Sequence, residues 1–261
     1  MWRNCLSKRL NTRAFDAFLT HGVVMNTILA QAFGGQITQT QLLGCDLFYQ
    51  PAQPVAPPTP LRAGVPIMFP QFAATGPLTK HGYVRTAEWE VFSVLADCVS
   101  TSLLLTEQPD WPYRAQLNMD AHIEDDSLEI FFEVRNVCAQ SFTWTGGLHP
   151  YFLVGDVTKT HVKGLMDAPL YLSEHGLAQH DFETHYPITG ALELHSPKLQ
   201  LKIEQTGFDH WMVWNAGGAH QLTDIPHDDW RVFLCVEPIC LTPQVLQPDE
   251  LWTGSFKITL I

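Results

Sequence analysis

Apolar and polar residues alternate with a period of two along much of this chain. Leu128, Ile130, Phe132 and Val134 are interleaved with Glu129, Phe131 and Glu133. Leu199, Leu201 and Ile203 are interleaved with Gln200, Lys202 and Glu204, and Phe256, Ile258 and Leu260 with Lys257 and Thr259. A period of two sends successive side chains to opposite faces, so each run predicts a strand with one buried face. Further strands are expected over 88–95, 101–106, 211–215 and 231–237. A helical pattern occurs only over 12–20, and it is weak. The chain has 18 Pro and 17 Gly, which punctuate the runs at short intervals. Many short strands divided by turn residues point to an all-β protein, a large antiparallel β-sandwich with few short helices, rather than a βαβ fold. The uncharged, Pro-rich stretch 51–60 reads as a loop, not a linker, and favours a single domain.

Composition narrows the class. A hydrophobic content of 46% over 261 residues supports a sizeable core, and no apolar run is long enough to cross a bilayer. The formal net charge is −12, which repels nucleic acid and anionic membranes. Neither is expected as a partner, and the oligomeric state is left open. Six cysteines without a C-x-x-C pair suit reduced thiols in a cytoplasmic protein. Arg3, Lys8, Arg9 and Arg13 precede an apolar stretch, but Asp16, His21, Asn26 and Gln31 interrupt it. The segment therefore reads as mature sequence rather than a signal peptide.

Three islands carry candidate chemistry. From Leu47 to Ala87 there is no Asp or Glu, although Arg62, Lys80, His81 and Arg85 lie there. Such a stretch is either an electropositive patch able to grip a carboxylate or phosphate, or a loop whose arginines pair with acids elsewhere. The second island is Thr145-Gly146-Gly147-Leu148-His149-Pro150-Tyr151-Phe152. His149 is either a satisfied core histidine or a catalytic one, and Tyr151 and Phe152 either offer a sugar a stacking face or fill the core. In the third, Phe233-Leu234-Cys235-Val236-Glu237, a carboxylate closes a buried-looking strand. Burial there would raise its pKa into the range of a general base. His175, His180 and His185 are spaced by five, which matches neither helical nor strand metal-ligand spacing. No metal and no cofactor are expected.

Taken in order, the islands resemble the aldose 1-epimerase superfamily, and within it the hexose-6-phosphate mutarotase (glucose-6-phosphate 1-epimerase-like) branch. The resemblance rests on R-A-G-V-P-I-M-F-P-Q-F at 62–72, H-G-Y-V-R at 81–85 and T-G-G-L-H-P-Y-F-L-V-G-D at 145–156. It continues through V-W-N at 213–215 and D-D-W-R-V-F-L-C-V-E at 228–237. It runs from about residue 26 to the C-terminus, which makes 1–25 an N-terminal extension and 26–261 the mutarotase-like domain. The resemblance implies a galactose mutarotase-like sandwich that interconverts α and β anomers of an aldohexose without a cofactor. It assigns His149 as acid and Glu237 as base, with Arg62, His81 and Arg85 lining the pocket and holding an anionic end of the substrate. The family's D-R-x-Y segment has no clean counterpart. Its nearest stretch is Ala191-Leu192-Glu193-Leu194-His195, so Glu193 is expected to replace the pocket aspartate. A non-catalytic carbohydrate-binding or sugar-sensing protein on the same scaffold is the alternative.

Overall fold

The alternating runs pair into antiparallel sheets in the computed structural model, which describes residues 26–261 and, for Ser93, Val94 and Leu95, the backbone alone. The helical pattern at 12–20 lies outside the described residues. The larger sheet has nine strands. From one edge they run β12 (Leu170–Tyr171), β11 (His161–Lys163), β14 (Leu192–His195), β15 (Gln200–Thr206), β18 (Leu251–Leu260), β8 (Ser127–Asn136), β7 (Ala115–Glu124), β6 (Cys98–Leu105) and β5 (Glu90–Leu95). Leu128, Ile130, Phe132 and Val134 are all fully buried, as their alternation requires. Their neighbours across the ladder, Phe256 opposite Ile130 and Ile258 opposite Leu128, are buried with them.

The smaller sheet has six strands: β13 (Phe182–Pro187), β16 (His210–Asn215), β17 (Phe233–Leu246), β9 (Phe142–Leu148) and β4 (Ile67–Met68) in spatial order, with β10 (Tyr151–Leu153) also paired to β17. Aromatic pairs seal this sheet onto the larger one. Trp144 meets Trp252 at 5.0 Å, while Phe152 and Trp211 meet Phe256 at 6.4 and 6.3 Å. Such large side chains dominate the apolar area removed from water. Phe152 therefore serves the core, not a sugar. A three-stranded sheet of β1 (Thr27–Ala30), β2 (Ile37–Leu42) and β3 (Cys45–Asp46) packs alongside. Helix α1 (Glu174–Gln179) is short, and the Ser173 side chain caps it by accepting from the Gly176 N–H.

Two differences from the sequence pattern have clear causes. The strand expected over 231–237 starts at Phe233 and continues to Leu246, because a shift in register between Cys240 and Gln244 lets β9 stay paired through an irregular stretch. Strand β7 escaped notice because its inward positions include Ala115 and Ala121 and its outward ones Asn118 and Asp120, residues of weak strand preference. Pairing with β6 and β8 along its whole length supplies what propensity does not. No helix among the described residues is long and apolar enough to cross a membrane.

Candidate active site

Antiparallel register brings the acid and base candidates together. Tyr151 on β10 lies opposite Cys235 on β17. Two residues back from Tyr151 is His149, and two residues on from Cys235 is Glu237. Steps of two keep all four side chains on one face of the sheet. The His149 Nδ1 and Glu237 Oε1 atoms are 3.4 Å apart, with the side chains 6% and 1% exposed. The backbone N–H of His149 donates to the Pro66 carbonyl at 2.9 Å, which ties the turn between β9 and β10 to the acid-free stretch. Gly146 and Gly147 make this approach possible. A Cβ on Gly146 would sit 2.1 Å from the Met68 carbonyl oxygen, and one on Gly147 would sit 2.3 Å from that of Pro238. Only glycine lets three backbones pack this closely beside the site.

The pair faces a cavity of about 330 Å³, mouth included, lined also by Arg62, Phe72, Lys80, His81, Glu183, Met212 and Trp214. Tyr151 stacks flat under His149 at 4.7 Å, and Trp214 and His81 meet the imidazole edge-on at 5.7 and 5.6 Å. The ring is thereby fixed in orientation by packing on three sides. His81 Nδ1 accepts from the Ala73 N–H at 3.2 Å, so the neutral ring carries its proton on Nε2. Arg62 donates through Nε to Asp224 at 2.7 Å, with both side chains mostly buried, and it also hydrogen-bonds Tyr151. Tyr49 donates to Asp229 at 2.6 Å, anchoring the segment that carries Asp224. Among the described residues, Arg85 has no carboxylate within ion-pair distance. The acid-free island therefore divides: Arg62 is neutralised from elsewhere in the chain, and Arg85 is not.

Burial dominates the electrostatics. It pushes the Glu237 carboxyl well above the ordinary range, helped by the charge of Glu183 and opposed by Lys80. It also pushes His149 well down, with His81, Arg62 and Arg85 adding to the effect. His81 is lowered to about 2 by burial and then by Arg85, Lys80 and Arg62. With burial acting on both groups, a proton shared by the pair sits on Glu237 and leaves His149 neutral. Among the described residues, neither His149 Nδ1 nor Glu237 Oε2 has a hydrogen-bond partner. The 3.4 Å approach is a close contact of poor hydrogen-bond geometry, so both atoms remain available to a ligand. One ligand atom each from His149, Cys235 and Glu237 lies within 4.8 Å of the others, the one grouping among the described residues with the spacing of a metal site.

The structure thus gathers His149, Glu237, Arg62 and His81 around one cavity. Arg85 lies within electrostatic reach of His149 and Arg62. Glu193 is placed elsewhere: it is exposed on β14 in the nine-stranded sheet, bonded to His195 Nε2 at 2.8 Å and Lys163 Nζ at 3.1 Å. Besides Glu237, the acid that lines the cavity is Glu183, on β13. A signal for it exists in the sequence. D-R-x-Y sets an acid three residues before a tyrosine, and Glu183-Thr184-His185-Tyr186 keeps that spacing, whereas Ser196 follows Glu193 at the same distance. Asp224 carried no such signal, since only the tertiary fold brings it to Arg62. The three evenly spaced histidines disperse, with His175 in α1, His180 just after it, and His185 in β13 packed on His210.

Comparison with known proteins agrees with this architecture. The model of the aldose 1-epimerase family matches residues 26–259. Two curated proteins, each named "Putative glucose-6-phosphate 1-epimerase", are similar to the chain. The one from Cenchrus ciliaris is 25% identical, over 88% of this chain and 80% of its own. The one from Salmonella typhimurium is 28% identical, over 73% of this chain and 71% of its own. A galactose mutarotase-like protein from Lactobacillus casei has the same fold, with a TM-score of 0.71 at 14% identity, covering 94% of this chain and all of that one. From its strands to its pocket, the chain belongs to the aldose 1-epimerase family.

Proposed function

We propose that the protein interconverts the α and β anomers of a hexose 6-phosphate such as glucose 6-phosphate, with Glu237 as base and His149 as acid. The observation that carries this reading is the buried pair at 3.4 Å, with one atom on each partner left without a hydrogen bond among the described residues, facing the cavity. Glu237 takes the proton from O1 while His149 delivers one to the ring oxygen. The C1–O5 bond opens, the C1–C2 bond rotates, and the reverse transfers close the ring as the other anomer. No net proton is consumed.

The reaction starts from the arrangement with the proton on His149, which burial of the pair disfavours. Sugar hydroxyls donating to the Glu237 carboxylate offset that cost, so binding the substrate readies the pair. Arg85, which has no carboxylate partner among the described residues, supplies the uncompensated positive charge for the phosphate, together with Lys80 at the mouth. Arg62, already paired, contributes directed N–H donors rather than net charge. Glu183 is placed to accept from a ring hydroxyl.

The test is the rate of anomer exchange, followed by polarimetry or NMR on freshly dissolved sugars, compared across glucose, galactose and their 6-phosphates. Acceleration greatest for a 6-phosphate is the expected result. A rate equal to the spontaneous one for every sugar would overturn the reading in favour of a sugar-binding protein.

A further inference from the structure

Cys235 has no part in ring opening, yet it shares the face of β17 that carries Glu237 and lies opposite Tyr151. Its thiol, a ring nitrogen of His149 and a carboxylate oxygen of Glu237 lie within 4.8 Å of one another, and all three residues are buried. Imidazole, thiolate and carboxylate are the donors zinc prefers, with bonds of roughly 2.0–2.3 Å in tetrahedral array. Two ligand atoms on such a centre stand a little over 3 Å apart by that geometry, and Nδ1 and Oε1 are already at 3.4 Å. A second observation points to a ligand at the same place. Among the described residues Nδ1 of His149 and Oε2 of Glu237 are buried without partners, on side chains that line the cavity, and a buried lone pair left unmet is costly.

We propose that His149, Cys235 and Glu237 form a binding site for a thiophilic divalent cation of the zinc class, and that occupation of this site shuts the pocket. The three side chains supply three ligands, and the cavity leaves the fourth position to water, the arrangement of an open zinc site. The exchange balances in charge. The cation displaces the thiol proton and the single proton held by the His149–Glu237 pair, both of which pass to solvent. Two positive charges leave as two arrive, so Arg62 and Arg85, which oppose an added proton on His149, meet no added net charge. A cation bound there holds the lone pairs that acid and base need, so metal and sugar exclude each other. This second half, inhibition, rests on the anomerase reading above, whereas binding does not.

Cadmium is the direct probe, because its thiolate complexes absorb in the ultraviolet by charge transfer. Full-length protein is titrated with Cd²⁺ alone and compared with Cys235→Ala and Cys235→Ser, with thermal unfolding confirming that each variant is folded. A charge-transfer band present in the wild type and missing from both variants is expected, with Glu237→Gln weakening Cd²⁺ binding as well. In the activity assay, Zn²⁺ is expected to slow anomer exchange by the wild type. The two Cys235 variants should keep the uninhibited rate and require at least tenfold more Zn²⁺ for the same inhibition. Identical cadmium spectra for wild type and both Cys235 variants would overturn the site. So would equal sensitivity to Zn²⁺. A band that depends on Cys235 in a protein with no anomerase activity would uphold the metal site and remove the functional reading instead.

Discussion

The two sheets of the sandwich solve opposite problems. The nine-stranded sheet keeps one face in the core and one in water, and β7 alternates buried and half-buried residues for nine positions. In the six-stranded sheet, the first eight residues of β17 are all buried, because loops from the acid-free island and the segment around Asp224 cover its outer face. Polar residues are buried on the two faces of this sheet at some cost: Asn215 and Glu237 are 0% and 1% exposed, and His149 is 5%. Asn215 is repaid by hydrogen bonds to the carbonyls of Trp230 and Phe233 and from the Gly217 N–H, whereas His149 Nδ1 and Glu237 Oε2 have no such bond among the described residues. One sheet is built for stability, and the other spends part of it to keep reactive groups unsatisfied.

Breaking the pair should separate the two roles most sharply. His149→Ala and Glu237→Gln are each expected to slow anomer exchange by ~10²–10⁴-fold, the usual contribution of a positioned acid or base, with little change in melting temperature. Normal turnover by either variant would end the assignment. The reverse experiment is Phe132→Ala in the nine-stranded sheet. It should cost ~3–5 kcal/mol in denaturant unfolding, as for other buried aromatic truncations, with the exchange rate per folded molecule unchanged.

Arg85→Ala should raise KM for glucose 6-phosphate by about 10–100-fold, as for loss of a charged hydrogen bond, and leave free glucose unaffected. Arg62→Ala should raise it less, because Asp224 already cancels that charge. If the two ranked the other way, Arg62 would be the phosphate anchor.

Acid titration gives a smaller effect with a definite sign. His81 has its folded pKa lowered to about 2 from an unfolded value of 6.5. Its contribution to stability is therefore complete above pH 6.5 and is lost as pH falls below it, by at most ~1.4 kcal/mol per pH unit. His149, also lowered, acts in the same direction. Glu237, raised, acts in the opposite one: its contribution is present below the unfolded carboxyl value and lost as pH rises. Stability measured between pH 6.5 and 5 should fall on acidification, and His81→Gln should flatten the slope. The smallest effect belongs to Glu193→Gln, on the outer face of the scaffold sheet, for which no measurable change in anomer exchange is expected.

What could be read from the sequence follows the same division. The scaffold strands 128–134, 199–203 and 256–260 announce themselves because one wet face forces alternation. The site sheet does not alternate, so its strands appear only as apolar runs, and β9 hides behind Gly146 and Gly147. Of the site, His149, Glu237, Arg62 and His81 stood out as polar groups in apolar or acid-free settings. Glu183 did not, because β13 is an edge strand with half its side chains exposed and an acid there looks ordinary. Asp224 and the Cys235 contact depend on register and tertiary approach, which no local pattern encodes.

Glu237 sits near the middle of β17, flanked on one side by β16 and on the other by β9 and β10. Amides in so central a strand exchange with solvent only when the whole molecule opens. On the proposed mechanism the base is thus carried on a central, well-paired strand, and the sugar rather than the backbone does the moving during a catalytic cycle. Hydrogen exchange should find the amides around Glu237 among the last to be replaced, with or without substrate, while those of the covering loop near Asp224 exchange earlier.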